Sequence, residues 1–145
     1  MPKLDHIAIF VSDLEEGMAF YGDTIGLGTP IVKEVPELNI RCAFFDPGDA
    51  TPIIELVTFT GASELAHGDV VVALEVDDLD AALAEYRARG LRAFDQPPTE
   101  NLPLRRGWIT KTAGHGTIIE LCPKGAVARF VRGESQRASA ANALS

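Results

Sequence analysis

The chain has 145 residues and a formal net charge of −8, from 13 Lys or Arg against 21 Asp or Glu. This acidic balance argues against a nucleic-acid partner, because affinity for nucleic acid rests on the neutralisation of phosphates by basic side chains. The contents of 46% hydrophobic and 23% charged residues are typical of a soluble globular protein and exclude disorder over most of the length.

The cysteines and the N-terminal residues predict the cellular compartment of the protein. Cys42 and Cys122 are too few for a disulfide framework, which favours a reducing, cytoplasmic setting. Asp5 and His6 interrupt the apolar N-terminal run, so we expect no signal peptide, and no run reaches the about 18 apolar residues of a membrane span. We therefore expect a soluble cytoplasmic protein without a membrane partner.

The first half of the chain predicts one strand, one helix and about three further strands. Residues 4–11 read as a strand with both faces covered. Ser12 stands three residues before Glu15, which predicts a capping box at the start of a helix that ends near Gly26 or Gly28. A loop or short strand is predicted at 30–36. Two strands are predicted at 39–45 and 52–59, joined by a turn at 46–49.

The second half predicts the same order of elements. A polar connection at 60–69 leads into a strand at 70–76. Asp77 is the predicted N-cap of the helix that follows, and Gly90 closes that helix. A short strand, a final hairpin and a short amphipathic helix are predicted at 91–94, at 105–112 with 117–122, and around 127–131.

Two short motifs recur at one spacing and indicate an internal duplication. Residues 53–56, Ile-Ile-Glu-Leu, return at 118–121, and residues 11–14 return in related form at 76–79, each 65 residues later. We therefore predict an α+β fold in which two tandem βαβββ modules form a curved-sheet cleft. One domain is expected over 1–123, with module 1 at about 3–60 and module 2 at about 69–123, followed by a short helix and disordered tail in 124–145.

Such a cleft brings equivalent positions of the two modules together, His6 with Val71 and Glu55 with Glu120. Strand alternation places each glutamate among apolar side chains, where a carboxylate is costly unless it is paired, protonated or bound to a cation. Two carboxylates and one imidazole are a ligand set that suits a divalent first-row metal. The alternative is that both glutamates point to solvent and His6 is a hydrogen-bonded core residue.

Several motifs together resemble the vicinal oxygen chelate superfamily, and the resemblance spans about residues 3–123. They are Asp5–Val11, Phe20-Tyr21, Gly26-Leu27, Leu74–Asp80 and the Ile-Glu-Leu of both final strands. The superfamily includes glyoxalase I, methylmalonyl-CoA epimerase, extradiol dioxygenases, fosfomycin-resistance enzymes and metal-free bleomycin-resistance proteins. The resemblance implies metal ligands at the positions of His6, Glu55, Val71 and Glu120, and Val71 cannot ligate.

This departure leaves several hypotheses for the metal. His6, Glu55 and Glu120 hold Mn, Fe, Co, Ni or Zn on the first hypothesis, with the remaining coordination positions open. On the second, His67 or Asp69 replaces the missing ligand, although the strand register would then have to change. The missing histidine argues against an iron dioxygenase site. His115 lies between glycines and is predicted to be a turn residue.

The retained set predicts a metal-dependent lyase or isomerase, glyoxalase- or epimerase-like, that abstracts a proton next to a carbonyl of a small molecule. Glu120 is expected to take and return the proton, and Glu55 chiefly to hold the metal. A third hypothesis keeps catalysis without metal, with Glu55 and Glu120 as an acid and base pair. The relatives of this kind also suggest a homodimer.

Binding without catalysis is the rival function, because Val71 makes the cleft more apolar. Aromatic residues that would line or back such a cleft are Phe10, Tyr21, Phe45 and Trp108. Basic residues that would grip an anionic end of a ligand are Arg41, Arg105, Arg106 and Lys111, although exposure to solvent is the commoner fate of each.

Overall fold

Eight strands and three α-helices follow one another along the residues that the computed structural model describes, 1–49, 51–61 and 65–134. The strands are β1 Lys3–Phe10, β2 Ile31–Val35, β3 Ile40–Phe45, β4 Ile53–Phe59, β5 Val70–Val76, β6 Ala93–Gln96, β7 Arg106–Ile109 and β8 Ile118–Pro123. The helices are α1 Leu14–Met18, α2 Leu79–Ala88 and α3 Ala126–Arg132. A π-helical segment, Ala19–Thr24, continues α1, and a 3-10 turn, Pro36–Leu38, joins β2 to β3.

The strands form one mixed sheet in the order β2-β3-β4-β1-β5-β8-β7-β6. Within each half the first strand runs parallel to the last, β1 beside β4 and β5 beside β8. The halves meet where β1 pairs antiparallel with β5. The predicted βαβββ modules are therefore confirmed, and their sheets join edge to edge into a single curled half-barrel.

The strand register displays the duplication directly. Val71 is the counterpart of His6, and Ala73 is the counterpart of Ala8, each 65 residues later. In the β1–β5 pair His6 lies opposite Ala73 and Ala8 lies opposite Val71, so the two pairs are related by a twofold exchange. Ala8 also pairs with Glu55 on β4, and Ala73 pairs with Glu120 on β8. Both glutamates are thus held next to the two central strands by equivalent backbone contacts.

The two faces of the sheet carry separate clusters of buried side chains. On the outer face, α1 packs through Leu14 against Leu56, and α2 packs through Leu83 against Leu121. Burying a leucine side chain contributes about 1.5 to 3 kcal/mol. The inner face holds a larger cluster that draws on both modules, and α3 covers part of it with Ala126, Val127 and Val131.

The structure corrects the predicted N-caps of α1 and α2. The N-caps are Asp13 and Asp78, whose side chains accept hydrogen bonds from Glu16 N and Ala81 N, each at 3.0 Å. Ser12, predicted as the cap of the first helix, instead donates its backbone N–H to His67 Nδ1 at 3.1 Å. Each cap lies one residue later than predicted, and both aspartates have the extended backbone angles of an N-cap.

Other predictions about the elements are confirmed, including the strand at 70–76, the final hairpin and the short helix after it. No helix in the described part of the chain is both long and apolar enough to cross a membrane. The predicted disordered end from residue 135 lies outside the described residues, as do positions 62–64 of the connection.

Candidate metal centre

His6 lies on the inner face of β1 and is 1% exposed. Its Nδ1 donates to Asp5 Oδ2 at 2.6 Å. Adjacent strand residues normally point to opposite faces, but the β1–β5 register shifts between Leu4 and His6. Such a bulge re-aims a side chain, which explains how Asp5 reaches the ring of its neighbour and leaves Nε2 directed into the sheet's inner face.

Two carboxylates, one from each module, flank His6 Nε2. Glu55 Oε1 lies 3.3 Å away and Glu120 Oε2 lies 3.5 Å away. Neighbouring donors around one ion with bonds near 2.1 Å lie about 3 to 3.5 Å apart. The distance from the imidazole to each carboxylate therefore suits two donors of one cation. The three groups do not all lie within 4.8 Å of one another, so the two carboxylates would have to move closer together to share an ion.

The charges around His6 also fit a cation. Burial alone would lower the pKa of His6, but hydrogen bonds with Asp5, Glu120 and Glu55 outweigh it and hold that pKa well above its usual value. Burial would raise the pKa of Glu120, but the hydrogen bond with His6 and the charge of Arg106 lower it instead. Without a metal, a protonated His6 and the guanidinium of Arg106 thus face three carboxylates; a divalent ion beside a neutral imidazole would balance these charges.

Arg106 forms the other side of this centre and is 9% exposed. Its Nη1 donates to Glu120 Oε1 at 3.3 Å, and its Nη2 donates to Gln96 Oε1 at 2.6 Å. The guanidinium lies 5.0 Å from the ring centre of Trp108, whose Nε1 donates to the same Gln96 oxygen at 2.7 Å. Arg106 Nε has no acceptor among the described residues, and an unsatisfied buried donor costs about 1 to 3 kcal/mol.

The centre opens into a cleft of about 420 Å³ that both modules line. Its polar lining comes from Glu55, Gln96, Arg106, Trp108 and Glu120. Its apolar lining is Ala8, Leu38, Ile40, Val57, Phe59, Leu65, Val71 and Ile118. A small molecule with an apolar body and a polar end suits these walls.

A second group of potential ligands lies behind His6. Asp5, His6 and Cys122 offer ligand atoms within 4.8 Å of one another. Burial and the nearby charges of Glu120 and Asp5 raise the pKa of the Cys122 thiol well above its usual value. A neutral thiol is a poor metal ligand, so Asp5 is better understood as the partner that orients His6, as carboxylates commonly do behind metal-ligating histidines.

Other residues singled out in the sequence lie elsewhere. His67 contacts Ser12 and Asp69 binds Lys111 Nζ at 2.8 Å, so neither contacts the His6 centre. His115 is an exposed turn residue with a positive φ, as predicted. Tyr21 and Phe45 pack in the cluster under α1, on the outer face, whereas Trp108 lines the cleft and Phe10 packs beside it.

Of the four basic candidates, Arg106 alone lines the cleft. Arg41 pairs with Glu15 and Glu34. Arg105 pairs with Asp80 and Asp95. These carboxylates are exposed, so Arg41 and Arg105 serve the surface, as Lys111 does with Asp69.

Sequence reasoning missed Gln96, which joins Arg106 to Trp108. The available signal was weak. Arg106 and Trp108 are two residues apart and share one face of β7, so a polar residue on the neighbouring β6 was needed to satisfy both donors.

A curled mixed sheet of two βαβββ modules that face a common cleft is the vicinal oxygen chelate fold. A family model described as the Glyoxalase/Bleomycin resistance protein/Dioxygenase superfamily matches residues 5–106. The chain belongs to this family.

Curated relatives of the chain are an isomerase and a lyase. Mouse (Mus musculus) mitochondrial methylmalonyl-CoA epimerase is 26% identical over 103 residues, covering 63% of this chain and 56% of the epimerase. Lactoylglutathione lyase of Haemophilus influenzae is 32% identical over 89 residues, covering 59% of this chain and 66% of the lyase. The matched region is thus little more than half the length of the epimerase and about two thirds of the lyase.

Solved structures extend the similarity over more of the chain. A methylmalonyl-CoA epimerase in complex with methylmalonyl-CoA and NH4+ superposes with a TM-score of 0.73 at 25% identity, covering 88% of this chain and 97% of that one. The epimerase of Mycobacterium tuberculosis superposes with a TM-score of 0.67 at 25% identity, covering 94% and 91%. Both similar structures are enzymes that share this fold.

Proposed function

We propose that the chain is a lyase or isomerase that uses a divalent metal, one of Mn, Fe, Co, Ni or Zn, held by His6, Glu55 and Glu120. The observation that carries the proposal is the position of the buried His6 Nε2, 3.3 Å from Glu55 and 3.5 Å from Glu120, the two glutamates that line the cleft. The reaction is abstraction of a proton from carbon next to a carbonyl. Bound there, the ion supplies Lewis acidity that favours negative charge on the carbonyl oxygen.

Glu120 takes the proton and returns it. Its contacts with His6 and Arg106 lower its pKa, which keeps the carboxylate ionised at neutral pH but weakens it as a base, so it must be released from these partners to take the proton. Glu55 has a contact with His6 and chiefly holds the metal. The apolar walls of the cleft exclude water from the carbon that loses the proton.

The relatives suggest which substrates to test first. They act on methylmalonyl-CoA and lactoylglutathione by name, and each of these is a thioester with a C–H bond beside its carbonyl. We expect this chain to accept a small acyl compound of the same type, since a cleft of about 420 Å³ with apolar walls accommodates an acyl group.

Two measurements test the proposal. Protein purified without chelator is analysed for metals and is expected to hold one equivalent, which His6→Ala loses. Incubation with methylmalonyl-CoA or lactoylglutathione in deuterated water is expected to exchange the C–H beside the carbonyl, and Glu120→Gln to stop this exchange. Failure to hold any of the five metals overturns the metal centre, and the absence of exchange with both thioesters overturns the reaction.

A metal-free binding protein is the second candidate, favoured by Val71. This side chain lines the cleft at the position equivalent to His6 and is 3% exposed. The binding hypothesis predicts no metal at any loading and a higher melting temperature with an apolar drug-like compound. Metal analysis on the same preparation therefore separates the two candidates.

We also propose that the protein is a homodimer. Large apolar side chains are exposed on the edge strand β2, namely Ile31 and Val32, and in the segment that precedes it along the chain, namely Phe20, Ile25 and Leu27. An exposed apolar edge of this kind is a site of association. Light scattering after size exclusion is expected to give twice the mass of the chain, and a lower mass for Val32→Lys.

A further inference from the structure

We propose that Arg106 is the anion-binding residue of the cleft, and that it receives a carboxylate of an otherwise apolar ligand. The inference rests on the proposed function in that it concerns the same cleft, and it names the class of ligand. The guanidinium is 9% exposed, lines the cleft and lies beside Glu120.

The strand register shows that Arg106 has no charged counterpart in the first module. On β3 Cys42 lies opposite Val57 of β4, and Phe44 lies opposite Glu55. Trp108 lies opposite Glu120 in the same way, so it is the counterpart of Phe44, and Arg106, two residues earlier, is the counterpart of Cys42. A small apolar residue therefore occupies in one module the position that a buried cation occupies in the other.

The guanidinium is held in place but not saturated. Gln96 and Glu120 each accept one hydrogen bond, and the indole of Trp108 lies beneath the cation. Arg106 Nε is buried and has no acceptor among the described residues. Nη1 and Nη2 each make one of these hydrogen bonds and each carry a second N–H. The planar guanidinium matches a carboxylate, so an ionised ligand oxygen is the acceptor that suits these N–H groups best.

The remaining charges of the cleft make this guanidinium necessary for an anion. Glu55 and Glu120 line the cleft and repel a ligand carboxylate. Among the described residues that line it, Arg106 is the one lysine or arginine. The other lining residues are mostly apolar. These walls and this cation together define a ligand with an apolar chain and a single anionic end.

Trp108 provides a direct readout, because it is the single tryptophan of the chain and its ring lies against Arg106. The probes are hexanoate and hexanamide, which have the same shape and differ in charge. We expect hexanoate to change the tryptophan emission saturably and to bind at least about 10-fold more tightly than hexanamide, since charge-assisted hydrogen bonds are much the stronger kind.

Arg106→Gln is expected to abolish the preference for hexanoate, and Arg106→Lys to keep part of it. Arg105→Gln is the matched control, since Arg105 pairs with Asp80 and Asp95 outside the cleft, and it should retain the full preference. If Arg106→Gln does not fold, as circular dichroism would show, Arg106→Lys and the wild-type comparison of the two probes decide the matter.

Running the titrations with metal-loaded and with chelator-treated protein distinguishes this inference from the proposed function. A preference for hexanoate that persists without metal and depends on Arg106 supports the inference even if no metal centre exists. Equal binding of the two probes, no binding of either, or a preference that Arg106→Gln retains overturns it, whatever the metal content.

Discussion

The two modules share a backbone plan and a glutamate but differ in the side chains around it. Glu55 and Glu120 occupy equivalent positions on β4 and β8, each paired with an alanine of a central strand. The first module adds the imidazole of His6, where the second has Val71. The second module adds a buried guanidinium, that of Arg106, on β7.

The shared backbone plan therefore determines where the side chains meet, while the differences between the modules determine the chemistry at each position. A symmetric cleft would offer the same chemistry at both ends. Here His6 with its orienting Asp5 lies at one side of Glu120, and Arg106 with Gln96 lies at the other. We expect this asymmetry to favour one orientation of a ligand with two different ends.

The largest effect is expected from removing the imidazole of the first module. His6→Ala should lower metal affinity at least about 100-fold, because it removes a ligand itself, and removing a residue that only hydrogen-bonds to a ligand already costs about 10- to 100-fold. It should also lower the free energy of unfolding of the metal-free protein by about 3 to 5 kcal/mol, because buried carboxylates lose their partner. Metal analysis and urea unfolding measure both effects.

Val71→Ala is the matched control for His6→Ala, since both residues occupy the same position of their module. It should lower the free energy of unfolding by about 1 to 3 kcal/mol through lost burial, with metal content unchanged. Loss of metal in both variants would show that packing, and not ligation, explains the result for His6.

Restoring symmetry should have the next largest effect. Val71→His places an imidazole at the position equivalent to His6. It should raise metal affinity at least about 10-fold, since even residues that only hydrogen-bond to metal ligands change that affinity by about 10- to 100-fold. Competition with a chromogenic chelator measures the change. Val57→His is the control, because Val57 also lines the cleft and is 6% exposed but lies on β4 of the first module, paired with Phe10 and Cys42, and not at the position equivalent to His6. Equal gains in both variants would contradict a specific fourth position.

A smaller effect is expected at Asp5, whose counterpart in the second module is Val70, 40% exposed. Asp5→Asn keeps the shape of the side chain but removes the charge that orients His6 Nδ1–H. Metal affinity should fall by about 10- to 100-fold. Asp69→Asn is the control, because that carboxylate pairs with Lys111 away from the centre, and it should bind metal as the wild type does.

The sequence was sufficient to predict the ligand candidates because the repeat and the alternation along each strand can be read from it directly. Repetition of Ile-Glu-Leu at 65 residues indicated the modules, and the same offset related His6 to Val71. Strand alternation then predicted that Glu55 and Glu120 share one face. The structure brings both carboxylates to His6 Nε2, at 3.3 and 3.5 Å, although the metal itself stays a prediction.

Features that depend on pairing between distant segments could not be predicted in this way. Arg106 was one of four basic candidates, and its burial depends on Gln96, ten residues earlier on a neighbouring strand. The union of the sheets through β1 and β5 likewise depends on a register that alternation does not specify. Tyr21 and Phe45 were assigned to the cleft because hydrophobic patterns do not say which covered face is which.

The smallest effects test the equivalence of the two modules at their helix starts. Asp13→Ala and Asp78→Ala should each lower the free energy of unfolding by about 1 kcal/mol, because each removes the acceptor for a backbone N–H in the first turn. Ser12→Ala and Asp77→Ala, at the caps predicted from the sequence, should cost less than about 0.5 kcal/mol. Urea unfolding of the four variants gives the comparison.

The outcome at α1 is the sharper test, since α1 is five residues long and passes into a π-helical segment, whereas α2 has ten residues. A short helix has few internal hydrogen bonds over which to spread the loss of its cap. Asp13→Ala should therefore speed amide exchange through the π-helical segment, while exchange in α2 of Asp78→Ala increases in the first turn. If amide exchange increased only in the first turn in both variants, packing against the sheet, through Leu14 in α1 and Leu83 in α2, would be what stabilises both helices.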